Sequence, residues 1–292
     1  MNINFLIILI IHFYVLVNFK NINQIKKKNF LFHLILFFLS IFGITGGYHR
    51  LFTHKSYEAH PFLRKTLVFL GSSGLMGPIK DWCSDHRMHH IYDGKNINLN
   101  PYPIEKGVLF AHINWIKDYP EKNTNYHKVR AKIVKEMEQN EWKDELDLIN
   151  HQKKYYYIYG TFFAYILPIL FETLILKNSI KNSIFNTSIK VVMVWHCTWL
   201  INSVAHSIGN KTIDKESTAR DNHICSLFTM GEGYHNYHHK FPKDYKASID
   251  LKRIQLTGII LYLLSKINLV KNRKYVPKDK IYKKGPVEYS VI

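Results

Sequence analysis

The chain has 292 residues, 47% of them hydrophobic, and a formal net charge of +18 at pH 7. This length allows either a large buried core or several membrane spans with a polar cap. A strongly basic chain suits a nucleic acid, an anionic membrane surface or a phosphate-bearing substrate. Nucleic acid is the weakest of these, because long apolar runs dominate and neither a basic recognition helix nor Cys/His finger spacing occurs.

Two apolar runs open the chain. Residues 3–19 reach the low end of a membrane span, which needs about 17–25 residues, and we interpret them as a retained first span. Residues 30–48 form a second run, and the loop at 20–29 between them is short and polar. The two runs are therefore predicted to form an antiparallel hairpin whose outer ends return to one side of the membrane.

Residues 66–79 are apolar as well, but this segment of 14 residues is too short to cross a membrane comfortably. If it crossed, His49 and His86 would lie on opposite faces and would not share a site. We interpret the segment as interfacial or buried.

The rest of the chain alternates between polar and apolar stretches. Two more spans are predicted at 155–176 and 189–206, and the last of them continues as helix through Asn202 and His206. We predict an all-α, four-span membrane protein that forms a single domain over 1–292. Its cytosolic helical cap, which holds a histidine-rich dimetal site, covers about 49–154 and 207–292.

Nine of the 17 histidines fall into four short clusters, each next to a long apolar stretch. In GEGYHNYHH they stand at i, i+3 and i+4, offsets that share one face of a helix, and HRMHH repeats this spacing. Such a triplet can give two imidazoles to one metal and a third to a neighbouring metal. HRLFTH and NSVAH supply the others, and the nine are His49, His54, His86, His89, His90, His206, His235, His238 and His239.

Nine imidazoles are too many for one ion, because a zinc site needs at most four ligands. They suit two ions with four or five nitrogens each and an open position, which fits iron better than a closed structural zinc. A dinuclear iron site beside apolar helices points to oxygen chemistry on an apolar substrate. The alternative is a non-catalytic metal-binding membrane protein such as a transporter or scaffold, but a transporter places its histidines midway through spans.

The other histidines in apolar runs, His12, His33 and His196, are interpreted as polar residues of the core or of a channel rather than as ligands. The cysteines are odd in number and lack CxxC spacing. This pattern predicts free thiols in a reducing compartment at Cys83, Cys197 and Cys225.

The four clusters, in this order, resemble the histidine boxes of the membrane-bound acyl-CoA delta-9 desaturases, the stearoyl-CoA desaturase group. GITGGYHRLFTHKSY and GEGYHNYHHKFPKDY are the longest matches, and the resemblance covers about residues 44–245. It implies removal of two hydrogens from a saturated acyl chain carried by CoA, which leaves a cis double bond and consumes oxygen and two electrons.

The resemblance also implies roles for individual residues. The nine histidines correspond to ligands of two Fe²⁺ ions, Asn202 to an asparagine that acts on the metal through water, and Trp199 to a tryptophan near the bend of the substrate channel. Asp85 corresponds to a residue that touches the acyl-CoA. Asp85 and Glu232 are also candidates for orienting the ligating imidazoles.

The partners implied by the resemblance are a fatty acyl-CoA, oxygen, and cytochrome b5 with its NADH-dependent reductase. No HPGG haem motif occurs, so the electron donor is expected to be a separate protein. The implied location is the endoplasmic reticulum membrane, with the metal site on the cytosolic side. A histidine-box hydroxylase, or a desaturase of acyl-lipids or sphingolipids, would use the same metals and remains an alternative.

The chain departs from the family pattern where the CoA group is held. Ser84 stands in place of an arginine before Asp85, and Lys106 replaces an arginine in the cap. A basic pair after Trp115 is shortened to Lys117 and Asp118.

Overall fold

The structure is a computed structural model that describes residues 3–120, 124–249, 253–282 and 287–292. Helices form most of this part of the chain. Its α-helices, α1 to α13, are Ile3–Val17, Lys27–Phe42, Pro61–Ser72, Ile79–Tyr92, Trp115–Lys117, Asn125–Asn140, Leu146–Lys154, Tyr156–Thr161, Leu167–Leu174, Ile180–Ser207, His223–Phe228, His235–Lys240 and Leu256–Lys266. Short 3-10 helices cover Phe19–Gln24, Ile104–Lys106 and Lys278–Lys280, and π-helical turns cover Gly43–Thr53, Phe110–Asn114 and Phe162–Ile166.

Two small pairs of strands hold the C-terminal tail. The strands, β1 to β4, are Glu58–Ala59, Val270–Lys271, Lys274–Tyr275 and Ser290–Val291. β1 pairs with β2 and β3 with β4, both antiparallel. Because each strand has two residues, these pairs fasten loops and do not form a sheet layer, so the prediction of a helical protein is confirmed.

Three helical stretches of the described residues are long and apolar enough to cross a membrane: Lys27–Thr53, Tyr156–Leu174 and Ile180–Ser207. They overlap three of the four predicted spans and support a multi-pass membrane protein. The first predicted span, 3–19, forms α1, which has 15 residues. At 1.5 Å per residue these rise about 22 Å, less than a hydrocarbon core of about 30 Å.

Glycines bring the second apolar helix against α3. A Cβ on Gly43 would lie 2.2 Å from the backbone nitrogen of Gly71, and a Cβ on Gly71 would lie 2.3 Å from the ring of Tyr48. The two helices therefore pack backbone against backbone at this point. This contact fixes the position of the π-helical turn Gly43–Thr53, which carries His49, relative to α3.

A buried carboxylate ties the membrane helices together. Glu172 of α9 accepts hydrogen bonds from Asn29 at 2.5 Å and Asn186 at 2.6 Å, and its Oε2 lies 2.8 Å from Nε2 of His33. Polar groups within membrane helices pair with one another because no water is present to satisfy them. This places His33 in the core, away from the nine clustered histidines.

The three cysteines are free and buried. Burial raises the pKa of Cys83 and that of Cys225 to about 12. Both remain protonated thiols at neutral pH.

Candidate metal centre

Nine histidine side chains converge at the cap end of the apolar helices, in two adjoining groups. Within each group the ligand nitrogens all lie within 4.8 Å of one another. The first group has five members: His49, His54, His86, His90 and His238. The second group has four members: His89, His206, His235 and His239.

In the first group the Nε2 atoms face one another. Nε2 of His86 lies 3.1 Å from that of His54 and 3.1 Å from that of His90. Nε2 of His238 lies 2.9 Å from that of His49 and 3.0 Å from that of His90. Metal–imidazole bonds of about 2.0–2.1 Å place neighbouring ligand nitrogens about 3 Å apart, so these spacings fit a metal site.

The second group has the same spacing. Nε2 of His89 lies 3.1 Å from that of His206 and 3.2 Å from that of His239, which in turn lies 3.1 Å from that of His235. The two groups share a wall, because the rings of His90 and His239 stack with centroids 4.2 Å apart. Two ions held here would therefore be neighbours.

A π-helical turn brings His49 and His54 into the same group. The backbone N–H of His54 donates to the carbonyl of His49 at 3.1 Å, which is the i to i+5 bond of a π-helix. On an α-helix, side chains five residues apart would point in different directions. The wider turn places both on one face.

Each histidine triplet divides between the groups. On α4, His86 and His90 belong to the first group and His89 to the second. On α12, His235 and His239 belong to the second group and His238 to the first. The two residues that are four apart belong to the same group because one helical turn separates them. The third residue of each triplet lies between them in the sequence and belongs to the other group.

Some of the Nδ1 atoms, which point away from the centre of each group, have hydrogen-bond partners that orient the rings. Nδ1 of His86 lies 3.3 Å from the Tyr102 hydroxyl, and Nδ1 of His89 lies 3.0 Å from Oδ1 of Asn100. Such partners fix the tautomer and leave Nε2 with its lone pair for a metal. The sequence alone does not predict roles for Tyr102 and Asn100, because their positions depend on the fold of the loop after α4.

Asp93 is the carboxylate of the second group. Its two oxygens lie 3.6 Å from Nδ1 of His206 and 3.6 Å from Nδ1 of His239, and it accepts from the Thr218 hydroxyl at 2.5 Å. Thr218 in turn lies 2.7 Å from Nδ1 of His206. Asp93 is not among the residues predicted from the sequence, although its position three residues after His90 is a signal for it.

Glu232 is the carboxylate of the first group. Its Oε2 lies 3.2 Å from Nδ1 of His49, and its Oε1 accepts a hydrogen bond from Arg50. Burial by itself would raise the pKa of Glu232, but Arg50 and His49 hold that pKa at about 2. The carboxylate is therefore ionised at neutral pH and available to orient His49.

Six of the clustered imidazoles are neutral at pH 7. Burial lowers the pKa of each of them, and the neighbouring imidazoles lower it further. This applies to His54, His86, His90, His235, His238 and His239. Because a metal binds the neutral ring, the site is prepared for ions without a cost of deprotonation.

A small cavity opens beside the two groups. Its wall includes Asn202 of α10, together with His49, His86 and His235. Asn202 thus lies beside histidines of both groups, one turn before His206. Trp199 is fully buried in a neighbouring layer, where its ring stacks on that of Trp195, whereas Thr198 and Ile201 line the cavity.

The side chain of Asp85 forms no hydrogen bond or ion pair with a clustered histidine in the described structure. Its carboxylate accepts from the hydroxyls of Tyr119 and Tyr126, each at 2.9 Å, and from Nε of Arg130 at 2.6 Å. Of the two carboxylates considered for orienting the imidazoles, Glu232 lies against one and Asp85 does not. Ser84, its buried neighbour, bonds to the α4 backbone carbonyl of Lys80.

The sequence is similar to known proteins over most of its length. Residues 28–248 match the family model described as Fatty acid desaturase. The chain is 34% identical to Acyl-CoA desaturase 1 of Saccharomyces cerevisiae, over 85% of this chain and 48% of that protein. It is 32% identical to a probable acyl-CoA desaturase of Schizosaccharomyces pombe (89% and 52%) and 31% identical to the stearoyl-CoA desaturase of Homo sapiens (95% and 75%). The chain spans about half the length of the two yeast relatives.

Proposed function

We propose that this chain, which belongs to the fatty acid desaturase family, is an oxygen-dependent desaturase that introduces a cis delta-9 double bond into a saturated fatty acyl-CoA. The observation that supports this most is the pair of adjoining imidazole groups beside a cavity at the end of apolar helices. One group offers five ligand nitrogens and the other offers four. The names of the relatives support the acyl-CoA substrate.

The nine histidines fit two Fe²⁺ ions, one in each group. A donor set made of neutral imidazoles alone, with space beside it, favours a redox-active ion with an open position over a closed zinc site. When bound, the iron pair supplies the activation of oxygen and the oxidising power that an unactivated C–H bond requires.

The residues around the groups keep the imidazoles in place and keep water out. Glu232 orients His49, and Asp93 orients His206 together with His239. Trp82 stacks on His86 with ring centroids 4.9 Å apart and covers its face. With water excluded and the imidazoles held in place, the acyl chain is the group that is available for oxidation.

The substrate is proposed to reach the metals through the cavity beside Asn202. Ile44, Met76 and Ile201 give this cavity apolar walls, which suit methylene groups. In this proposal Asn202 acts on one metal through a water molecule, and Trp199 lies near a bend of the channel.

The CoA group is proposed to bind near Asp85. Tyr119 and Tyr126, which both donate to Asp85, form a polar patch with Arg130 on the cap beside α4. Arg130 supplies a guanidinium next to the position where Ser84 replaces the arginine of the family pattern. Basic side chains there suit the phosphates of CoA.

The helices and the cap together give an orientation in the membrane and a face for the electron donor. We propose that α1 forms a fourth span with the helical stretches Lys27–Thr53, Tyr156–Leu174 and Ile180–Ser207. The cap and its metal site then face the cytosol from the endoplasmic reticulum membrane. Cytochrome b5, reduced by its NADH-dependent reductase, would deliver electrons to that face.

Expression of the full chain in a yeast strain that lacks delta-9 desaturase activity tests the function. The expected result is growth without added unsaturated fatty acid and new cis-monounsaturated acyl chains in the lipid extract. His89→Ala should abolish both, whereas His151→Ala should not, because His151 is an exposed residue of the cap whose ring contacts the Tyr159 hydroxyl. Metal-loaded protein that makes no unsaturated product in the presence of cytochrome b5 would refute the proposal. A hydroxylated product would instead indicate a hydroxylase.

A further inference from the structure

The π-helical turn Gly43–Thr53 ends with an unusual pattern of backbone hydrogen bonds. The N–H of His54 donates to the carbonyl of His49 at 3.1 Å, and the N–H of Ser56 donates to the carbonyl of Arg50 at 2.9 Å. These bonds join residues that are five and six apart, whereas an α-helix joins residues that are four apart. The chain is therefore wider here than an α-helix.

Side chains from two other segments bond to the last carbonyls of this turn. The indole N–H of Trp142, a fully buried residue that follows α6, donates to the carbonyl of Phe52 at 2.8 Å. The guanidinium of Arg87 on α4 donates to the carbonyl of Thr53 and, at 2.6 Å, to the carboxylate of Glu141. Neither carbonyl accepts a backbone N–H in the described structure. The two side chains therefore supply the hydrogen bonds that the end of a helix lacks.

The same segment folded as an α-helix would separate the two histidines that it positions. The side chains of His49 and His54 would point about 140° apart around the helix axis, because each residue of an α-helix turns the chain by about 100°. One ion would then no longer lie within reach of both rings. The carbonyls of Phe52 and Thr53 would turn as well, and the hydrogen bond from Trp142 would be lost.

The local sequence permits the wide turn, and tertiary contacts hold it. Three of its 11 residues are glycines, which are weak formers of an α-helix. A π-helix is nevertheless rare, so this form depends on its surroundings. The start of the turn is fixed where Gly43 packs on Gly71, and its end is fixed by Trp142 and Arg87. With both ends held, the segment cannot narrow to an α-helix without the loss of these contacts.

We propose that Trp142 and Arg87 are positioning residues of the first group. By holding the end of the turn, they keep His49 and His54 on one face, where both rings can bind the same ion. They act through two backbone carbonyls and not through the imidazole nitrogens. The second group has no ligand on this turn, so its ion does not depend on them. The inference rests on the proposed two-ion centre and not on the reaction that the ions support.

The charge of Arg87 separates this role from simple electrostatics. A positive charge beside the first group repels a metal cation, so removal of that charge would by itself strengthen ion binding. If Arg87 acts by holding the carbonyl of Thr53, its removal weakens ion binding instead. The two effects have opposite signs, so the direction of the change distinguishes them.

Fe²⁺ binding by the full chain in nanodiscs tests the proposal, measured without oxygen by competition with a chelator of known affinity. Two backgrounds isolate the groups, because His89→Ala leaves the first group intact and His90→Ala leaves the second intact. Trp142→Phe keeps a buried ring but removes the N–H. Trp195→Phe is the matched control, since Trp195 is also buried and its indole N–H has no hydrogen-bond partner in the described structure.

The expected loss of affinity is confined to one background. With His89→Ala, both Trp142→Phe and Arg87→Met should weaken the remaining ion by about tenfold or more, as loss of a residue that orients a ligand does. With His90→Ala, neither change should alter the affinity of the remaining ion, and Trp195→Phe should have no effect in either background. Weakening in both backgrounds would indicate a general loss of structure and would overturn the proposal. Unchanged or stronger binding with His89→Ala would overturn it as well.

Co²⁺ bound to the His89→Ala protein gives a second measurement, since its visible absorption depends on the number and geometry of its ligands. The spectrum should change in Trp142→Phe and stay the same in Trp195→Phe, and the reverse would contradict the proposal. If Trp142→Phe does not fold, Arg87→Met decides, because Arg87 is partly exposed. A wild-type chain that binds two ions but forms no unsaturated product would refute the desaturase function alone. A wild-type chain whose first group binds no ion would overturn this inference.

Discussion

His49 and His238 are 189 residues apart in the chain, yet their Nε2 atoms lie 2.9 Å from each other. The first is carried by a π-helical turn at the end of an apolar helix, and the second by the short helix α12 in the cap. This contact joins the membrane-spanning part of the protein to its cap at the candidate metal centre. The centre is therefore also a structural junction, and its contacts suggest four experiments.

Metal content should fall in a group-specific way. His90→Ala removes a ligand from the five-membered group, and His89→Ala removes one from the four-membered group. We expect the wild type to hold two metals per chain, and each variant to lose the ion of its own group first and to retain close to one. Elemental analysis of purified protein measures this. Loss of both ions in both variants would contradict two separable groups.

Asp93→Asn should weaken the second group. Asp93 lies against the outer nitrogens of His206 and His239, and loss of such a carboxylate typically costs 10–100-fold in metal affinity or activity. Competition with a chelator of known affinity measures the change. Asp118→Asn, at an exposed cap position, is the control, and equal affinities in the two variants would show that Asp93 does not support the ligands.

Glu232→Gln should destabilise the protein. The change leaves the buried guanidinium of Arg50 without its carboxylate, and removal of one partner of a buried ion pair costs about 3–5 kcal/mol. The double variant Arg50→Met with Glu232→Gln should lose less than the sum of the two single changes, because it leaves no unpaired charge. Thermal unfolding of the three variants measures this coupling. Additive losses would contradict it.

Metal-free protein should be sensitive to acid. Burial lowers the pKa of His54, His86 and His238 in the folded state, so below about pH 6.5 the unfolded chain binds more protons than the folded chain does. The stability of chelator-treated protein should therefore be highest above pH 6.5 and fall steadily towards pH 5. Melting temperatures across this range check the sign, and a flat profile would show that the rings titrate alike in the folded and unfolded states.

The local spacing of the histidines was readable from the sequence, because a helix places i, i+3 and i+4 on one face whatever surrounds it. The same holds for the apolar runs, three of which became helices long enough to span a membrane. The predicted run at 3–19 formed a helix of 15 residues, since the chain turns into a 3-10 helix at Phe19.

The roles of single polar residues were less predictable. Asp85 and Glu232 are both acidic residues near a histidine box, yet Glu232 lies against His49 whereas Asp85 is held by two tyrosines and an arginine. The difference comes from α6, which brings Arg130 to Asp85 from 45 residues away. The spacing of residues in the sequence does not predict the contact between Arg130 and Asp85.

By itself, the sequence determined which side chains can act as ligands, because residue type and helical spacing are local properties. The tertiary structure alone decided how nine imidazoles divide into five and four, which carboxylates orient them, and that Trp142 and Arg87 bond to the last carbonyls of the turn that carries His49. The physical reason is that these contacts join segments up to 189 residues apart, and their geometry depends on how the helices pack.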